Sequence, residues 1–80
     1  MKETIFKICA DLCGRELAPD EPLIVSGLLD SFGIMELVCT LEDEFQIDFL
    51  PKEITNLDNF SSVNSIMDLV KAKLERKHTA

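Results

Sequence analysis

Ser31 is the residue of this 80-residue chain whose surroundings point most directly to chemistry. It lies between Asp30 and Phe32 in the segment GLLDSFG. A serine attacks as a nucleophile only when a nearby base activates its hydroxyl, and the single histidine, His78, is far along the chain. The flanking residues match neither G-x-S-x-G nor S-x-x-K. We therefore expect no catalytic residue, and a Ser31 that reacts only when another enzyme activates it, as in a modification site.

Three cysteines are the other candidates for nucleophilic or metal chemistry. Cys9 and Cys13 lie one helical turn apart, and Cys39 stands alone. No histidine and no further cysteine pair completes a tetrahedral site, so we expect no bound metal and small buried or half-buried thiols. The odd number, and an N-terminus without the apolar run of a signal peptide, favour a reducing, cytoplasmic setting.

The charge of the chain limits its partners. The formal net charge is −7, and the eight acids from Asp30 to Asp58 are accompanied by one base, Lys52. Phosphate contacts require Lys and Arg, so nucleic acid is excluded as a partner and a basic protein surface is favoured. The alternative is a solvated acidic face that serves only solubility. No segment approaches the ~18 apolar residues of a membrane span.

Helical spacing of apolar residues predicts the elements that must position Ser31. A middle helix runs from about Ser31 to Phe45. The first helix ends near Gly14, and Ser61 or Ser62 can cap the last one. The apolar face of the first helix comprises Ile5, Ile8, Cys9 and Leu12. That of the last helix comprises Val63, Ile66, Met67, Val70 and Leu74.

Two connections complete the predicted architecture. The first, from Arg15 to Asp30, is a long loop whose apolar residues we expect to hold it to the core: Leu23, Ile24, Val25, Leu28 and Leu29. In the second, Pro51 begins a short helix with Ile54 and Leu57 pointing inward. The sequence thus predicts one all-α domain over residues 1–80. Its fold is a small four-helix bundle of three main helices and one short helix, with a long loop between helices 1 and 2.

The middle helix has apolar side chains on two faces. A helical projection places an ordinary core stripe on one side, made of Ile34, Leu37, Val38, Leu41 and Phe45. Phe32, Met35 and Cys39 fall outside this stripe, among the acids Glu36, Glu42 and Asp43. Either the surrounding helices bury both faces, or these three residues form a small exposed patch, rimmed by carboxylates, that suits transient docking.

The start of the middle helix holds an unusual glycine. Asp30 or Ser31 can serve as its N-cap. Gly33 follows in the first turn, where it costs the helix about 1 kcal/mol relative to alanine. A cap alone does not require glycine, so we expect that Gly33 lets another molecule approach the backbone beside Ser31.

These residues resemble a known family. The segment GLLDSFG, followed by Glu36-Leu37 and by LEDEF, is similar to the phosphopantetheine-attachment region of acyl carrier proteins, and the resemblance extends over nearly the whole chain. It implies that Ser31 carries 4′-phosphopantetheine through a phosphodiester, installed from coenzyme A by a phosphopantetheinyl transferase. The thiol of that group then holds an acyl or aminoacyl cargo as a thioester.

The resemblance also implies a docking face. Asp30, Glu36, Glu42 and Asp43 correspond to the acidic recognition helix of the family, and Met35 and Cys39 to its exposed apolar contacts, beside Phe32. The implied partners are an adenylation or other acyl-loading enzyme and a downstream acyltransferase or synthase, visited by a monomeric carrier.

The family motif also bears on the cargo. Carriers of fatty acids usually have Asp-Ser-Leu and then an acid, whereas Phe32 and Gly33 stand here, as in discrete D-alanyl and aminoacyl carriers. This favours an adenylation-loaded cargo. The alternative function is a non-covalent, acidic interaction module that binds a basic partner through helix 2.

Overall fold

The computed structural model describes residues 2–79 of the chain, and side chains over residues 2–76. Its helices are α1 (Lys2–Cys13), α2 (Ser31–Phe45), α3 (Pro51–Thr55), a 3₁₀ helix (Leu57–Phe60) and α4 (Val63–Thr79). No strand occurs over the described residues. The predicted all-α bundle of three main helices and one short helix, with a long first connection, is confirmed. The 3₁₀ helix was not predicted.

One apolar core joins α1, α2 and α4. Burying each aliphatic side chain of this kind contributes about 1.5–3 kcal/mol relative to leaving it exposed. The predicted stripes of the three main helices face this core, and five of their residues are partly buried at its edge: Ile8, Leu12, Phe45, Met67 and Leu74. Its buried members are Ile5, Cys9, Leu23, Leu29, Ile34, Leu37, Val38, Leu41, Ile47, Phe49, Phe60, Val63, Ile66 and Val70.

The long first loop is fixed by backbone hydrogen bonds as well as by buried leucines. The amide of Leu23 donates to the carbonyl of Ser61 at 2.9 Å, and the amide of Asn64 donates to the carbonyl of Pro19 at 3.0 Å. Leu23 and Leu29 are buried, as predicted. The loop therefore holds the start of α2 in place by attaching to the start of α4.

Two residues predicted to point inward are instead exposed. Val25 is 91% exposed, because a tight turn, closed by the amide of Gly27 on the carbonyl of Ile24 at 3.0 Å, lifts it off the core. Leu57 is 52% exposed. The chain enters the 3₁₀ helix there, and Phe60, three residues later, takes the inward position.

The helix ends follow from local chemistry. Gly14 adopts a left-handed conformation (φ 77°) immediately after α1, where side-chain-bearing residues are strained. Pro51 occupies the first turn of α3, as predicted. The hydroxyl of Ser62 accepts a hydrogen bond from the amide of Ser65 at 3.2 Å, so Ser62, and not Ser61, caps α4.

Candidate functional site

Ser31 stands at the first helical position of α2 with its hydroxyl in solvent. Asp30 is the N-cap: its carboxylate accepts from the amide of Gly33 at 2.8 Å, and its carbonyl accepts from the amide of Ile34 at 2.8 Å. Because the carboxylate of Asp30 caps the helix, the hydroxyl of Ser31 takes no part in capping. Ser31 is exposed, and its hydroxyl makes no hydrogen bond within the described part of the chain.

The surroundings of this hydroxyl suit an anionic substituent. The first amides of an α-helix have no intrahelical acceptor, and here the capping carboxylate takes the one at Gly33. The amides of Ser31 and Phe32 remain as donors at the positive end of the helix dipole, an arrangement that favours phosphate. The carboxylate of Asp30 opposes this attraction in part. No side chain of the described residues bonds to Ser31 as a base, and the side chain of His78 lies outside them.

Gly33 has a structural explanation that the sequence did not reveal. A Cβ atom at this position would lie 3.1 Å from Cδ1 of Leu29 and 3.3 Å from Oδ1 of Asp30. Leu29 is a buried core residue, so it has little room to yield. The capping carboxylate and the core therefore give a second reason for a glycine here, and the expectation that Gly33 lets another molecule approach the backbone beside Ser31 stays a prediction.

The outer face of α2 carries an exposed apolar patch. Phe32 is 73% exposed, Met35 is 50% exposed, and Cys39 is also exposed. Of the two alternatives left by the sequence, the exposed patch is the one the structure supports. These three residues, which we call the α2 patch, line a shallow groove together with Glu36, Thr40 and Leu12. Leu12 of α1 was predicted only as core, so its contribution to this groove was missed.

A second groove continues along the same helix. Cys39, Glu42 and Asp43 line it with residues of the following loop. The predicted site residues therefore form one strip along α2, from Asp30 at its start to Asp43 near its end, and Cys39 belongs to both grooves. Glu42 also has a structural contact that was missed: its carboxylate accepts from the amide of Phe49 at 2.9 Å.

Beyond the end of α2, the charged side chains of Lys73 and Glu53 pair with each other. Lys73 of α4 forms an ion pair with Glu53 of α3, donates to the carbonyl of Asp48 at 2.7 Å, and lies 5.1 Å from the ring centre of Phe49. Glu53 also accepts from the amide of Leu50 at 2.7 Å. Burial raises the pKa of Glu53, but these hydrogen bonds and the charges of Lys73 and Arg76 outweigh it, and the net pKa lies below 4.5.

The cysteines of α1 are not reactive thiolates. Burial, and secondarily the neighbouring Cys13, raises the pKa of Cys9 to about 12. Burial also raises the pKa of Cys13, whose thiol donates to the carbonyl of Leu28 at 3.6 Å. Both match the expected structural thiols, and all three cysteines are unpaired. Within residues 2–76, no group of three metal-binding side chains comes together. Among the helices described, none has the length and apolar character needed to cross a membrane.

Comparison with known proteins gives consistent results. Residues 3–70 match the family model described as the phosphopantetheine attachment site. An acyl carrier protein of Buchnera aphidicola is 36% identical over 74 residues, covering 89% of this chain and 91% of that protein. A D-alanyl carrier protein of Bacillus subtilis is 30% identical over 70 residues, covering 84% and 88%. An aminoacyl carrier protein of Agrobacterium fabrum is 34% identical over 61 residues, covering 76% and 72%.

Proposed function

This chain belongs to the family of carrier proteins that bear a phosphopantetheine attachment site, and we propose that Ser31 is the residue to which its 4′-phosphopantetheine is attached. The observation that carries the proposal is the hydroxyl of Ser31 at the start of α2, which is exposed and makes no hydrogen bond with any of the described residues. It lies within the residues that match the family. The chain is a non-catalytic carrier, and we propose that residues 1–80 form a single carrier domain.

The residues around Ser31 fit a phosphodiester. Its hydroxyl oxygen would form the bond to phosphorus, and the amides of Ser31 and Phe32 offer donors to the anionic oxygens. The group supplies a terminal thiol that carries an acyl group as a thioester. Because no base of the described residues touches Ser31, a phosphopantetheinyl transferase must remove the proton of the hydroxyl. In that reaction the oxygen–phosphorus bond forms as the phosphoanhydride bond of coenzyme A breaks, and adenosine 3′,5′-bisphosphate leaves.

We propose the strip along α2 as the surface that partner enzymes contact. The α2 patch supplies apolar contact area, while Glu36, Glu42 and Asp43 attract basic surfaces and steer the encounter. A small patch of this kind suits weak, quickly released contacts, as a monomeric carrier needs when it visits an acyl-loading enzyme and then an acyltransferase or synthase. Asp30 lies beside Ser31 and is expected to contact the transferase.

For the cargo we propose an aminoacyl or another adenylation-loaded acyl group. The segment DSFG and the similarity to D-alanyl and aminoacyl carrier proteins support this choice. We place the protein in the cytoplasm, because three unpaired cysteines suit a reducing compartment.

Intact-protein mass spectrometry tests the attachment. The unmodified chain is incubated with coenzyme A and a broad-range phosphopantetheinyl transferase, and we expect the mass of one phosphopantetheinyl group to be added. Ser31→Ala should abolish this addition. Ser26→Ala, at an exposed serine of the loop before α2, is the matched control and should be loaded normally. An unchanged mass with several transferases would contradict the proposal and favour the non-covalent interaction module.

A further inference from the structure

The short helix α3 is the part of the bundle wall that is least held by apolar burial. It has five residues and no buried side chain, whereas every other described helix contributes buried residues to the core. Its one apolar contact with the core is the half-buried Ile54. An element with so little apolar contact opens more readily than its neighbours unless polar contacts hold it.

Such polar contacts are present, and we call them the α3 latch: Lys73, Glu53 and the carbonyl of Asp48. The lysine bonds both to the carboxylate and to that carbonyl, and so ties α4 to α3 and to the preceding loop. The side chains of Lys73 and Glu53 are only 9% and 13% exposed. Separating them would leave charges that are largely withdrawn from water without a partner, which is strongly unfavourable.

The α3 latch lies over buried side chains of the core. Phe49 lies directly under the ammonium group of Lys73, and its ring centre is 6.4 Å from that of the fully buried Phe60. Ile47, in the same loop, is also buried. An acyl chain entering between α3 and α4 would have to displace these side chains and break the α3 latch at the same time.

We infer that the α3 latch keeps the interior of this carrier closed to its own cargo, so that the acyl group stays in solvent and is short and polar. A long alkyl chain held in water is unfavourable because its methylene groups remain hydrated, and a carrier that cannot shelter such a chain suits a small aminoacyl group. This inference rests on the proposed function, because it concerns the group carried at Ser31.

The test compares two cargoes on the intact chain. Acetyl and octanoyl groups are installed at Ser31 by transferring the matching acyl-phosphopantetheine from coenzyme A thioesters. Thioester hydrolysis is then followed by intact mass, relative to the same thioester of free pantetheine. We expect both ratios to agree within about twofold, and amide hydrogen exchange in α3 to be the same with either cargo. An octanoyl thioester protected tenfold or more, with altered exchange in α3, would overturn the inference.

Variants assign the effect to the latch. Lys73→Met removes the charge and keeps the length of the side chain, and Glu53→Gln removes the partner charge with less disturbance. In both we expect faster exchange of the α3 amides and protection of the octanoyl thioester by about tenfold. The matched control is Lys71→Met, at an exposed lysine of the same helix, which should behave as the parent chain. Unchanged exchange and unchanged hydrolysis in both latch variants would overturn the role of the latch.

The outcomes separate this inference from the proposed function. If Ser31 receives no group at all, the mass is unchanged and the proposed function fails. The latch is then still tested in the unmodified chain, because exchange of the α3 amides in Glu53→Gln and Lys73→Met does not require a cargo. Loading that succeeds together with octanoyl protection contradicts the latch inference alone.

Discussion

The two ends of α2 use the same residue types in opposite ways. At the N-terminal end, the hydroxyl of Ser31 and the apolar side chains of Phe32 and Met35 are left in solvent. Near the C-terminal end, Glu42 holds the amide of Phe49, and the α3 latch pairs each of its charges. The first region is available to visiting molecules, whereas the second fixes the shape of the bundle.

This difference shows that acidity alone does not mark a docking surface. Asp30 and Glu42 both belong to the acidic strip, yet each uses its carboxylate to hold a backbone amide of the same chain. Glu36 and Asp43 are exposed, and no ion pair within the described side chains occupies them. Substitutions at the two ends should therefore have distinct effects, on stability at one end and on partner enzymes at the other.

The largest expected change in stability is at the latch. Lys73→Met leaves the carboxylate of Glu53 largely buried without its partner and removes the hydrogen bond to Asp48. We expect the free energy of unfolding to fall by about 2 kcal/mol, which for a domain of this size lowers the melting temperature by about 10 °C. Calorimetry or denaturant unfolding measures this.

The control for that prediction is Lys71→Met, which should change stability by less than about 0.5 kcal/mol, as surface substitutions usually do. Equal stability of the two variants would mean that the latch contributes no more than an exposed ion pair, and the contrast between the two ends of α2 would lose its physical basis.

The next effect concerns the exposed end and should leave stability unchanged. Met35→Glu places a charge in the exposed α2 patch and leaves the core side chains unchanged. We expect the rate of loading by partner enzymes to fall by about tenfold, equivalent to about 1.4 kcal/mol, with stability within about 0.5 kcal/mol of the parent. Stopped-flow or mass-based loading assays measure the rate.

Val25→Glu is the matched control, because Val25 is even more exposed and lies in the loop instead of on α2. It should load at the parental rate. A Met35→Glu variant that unfolds would show that this side chain supports the core. A Val25→Glu variant that loads as slowly as Met35→Glu would show that the docking surface extends beyond α2.

The exposed end was largely predictable from the sequence, and the closed end was not. Apolar spacing and a capping residue define α2 from Ser31 to Phe45, and the same helical projection separates Met35 and Cys39 from the core. These are local properties, in which each residue is interpreted against neighbours within two turns. For that reason the sequence identified the residues of the α2 patch, whereas their exposure depends on how the helices pack and came from the structure.

The α3 latch depends on contacts between residues that are far apart in the sequence, and the helical spacing of apolar residues does not predict such contacts. Lys73 and Asp48 are 25 residues apart, and in the sequence Lys73 is one of several bases near the end of the last helix. The two wrong inward predictions, Val25 and Leu57, have a related cause. Tight turns reverse the direction of a side chain within one or two residues, so hydrophobicity alone does not decide its burial.

A smaller effect is expected at Asp30, where two variants distinguish its role as the helix cap from the role of its charge. Asp30→Ala removes the acceptor for the amide of Gly33, and we expect a loss of about 1 kcal/mol. Asp30→Asn keeps an acceptor oxygen and should retain most of the stability. If Asp30 also contacts the transferase through its charge, both variants should be loaded more slowly than the parent. Normal loading of Asp30→Asn would assign this residue to the helix alone.

The smallest effect is the pH dependence that the latch imposes. Because the folded state holds the pKa of Glu53 below its ordinary value of 4.5, the unfolded chain binds this proton first as the pH falls. The stability that Glu53 contributes is therefore fully present above about pH 4.5 and is lost as the pH falls through the lowered value.

The difference in stability between the parent and Glu53→Gln, from denaturant unfolding at several pH values, should shrink between pH 5 and pH 3. Glu21→Gln removes a half-buried carboxyl whose pKa is also lowered, chiefly by the amide of Ala18 and by Arg15. Because the side chain of Arg15 is 51% exposed, solvent screens that pair, and its difference should be smaller at every pH. A constant difference for Glu53→Gln over the same range would mean that its carboxylate is not held by charge, and that the closed end of α2 is fixed by packing instead.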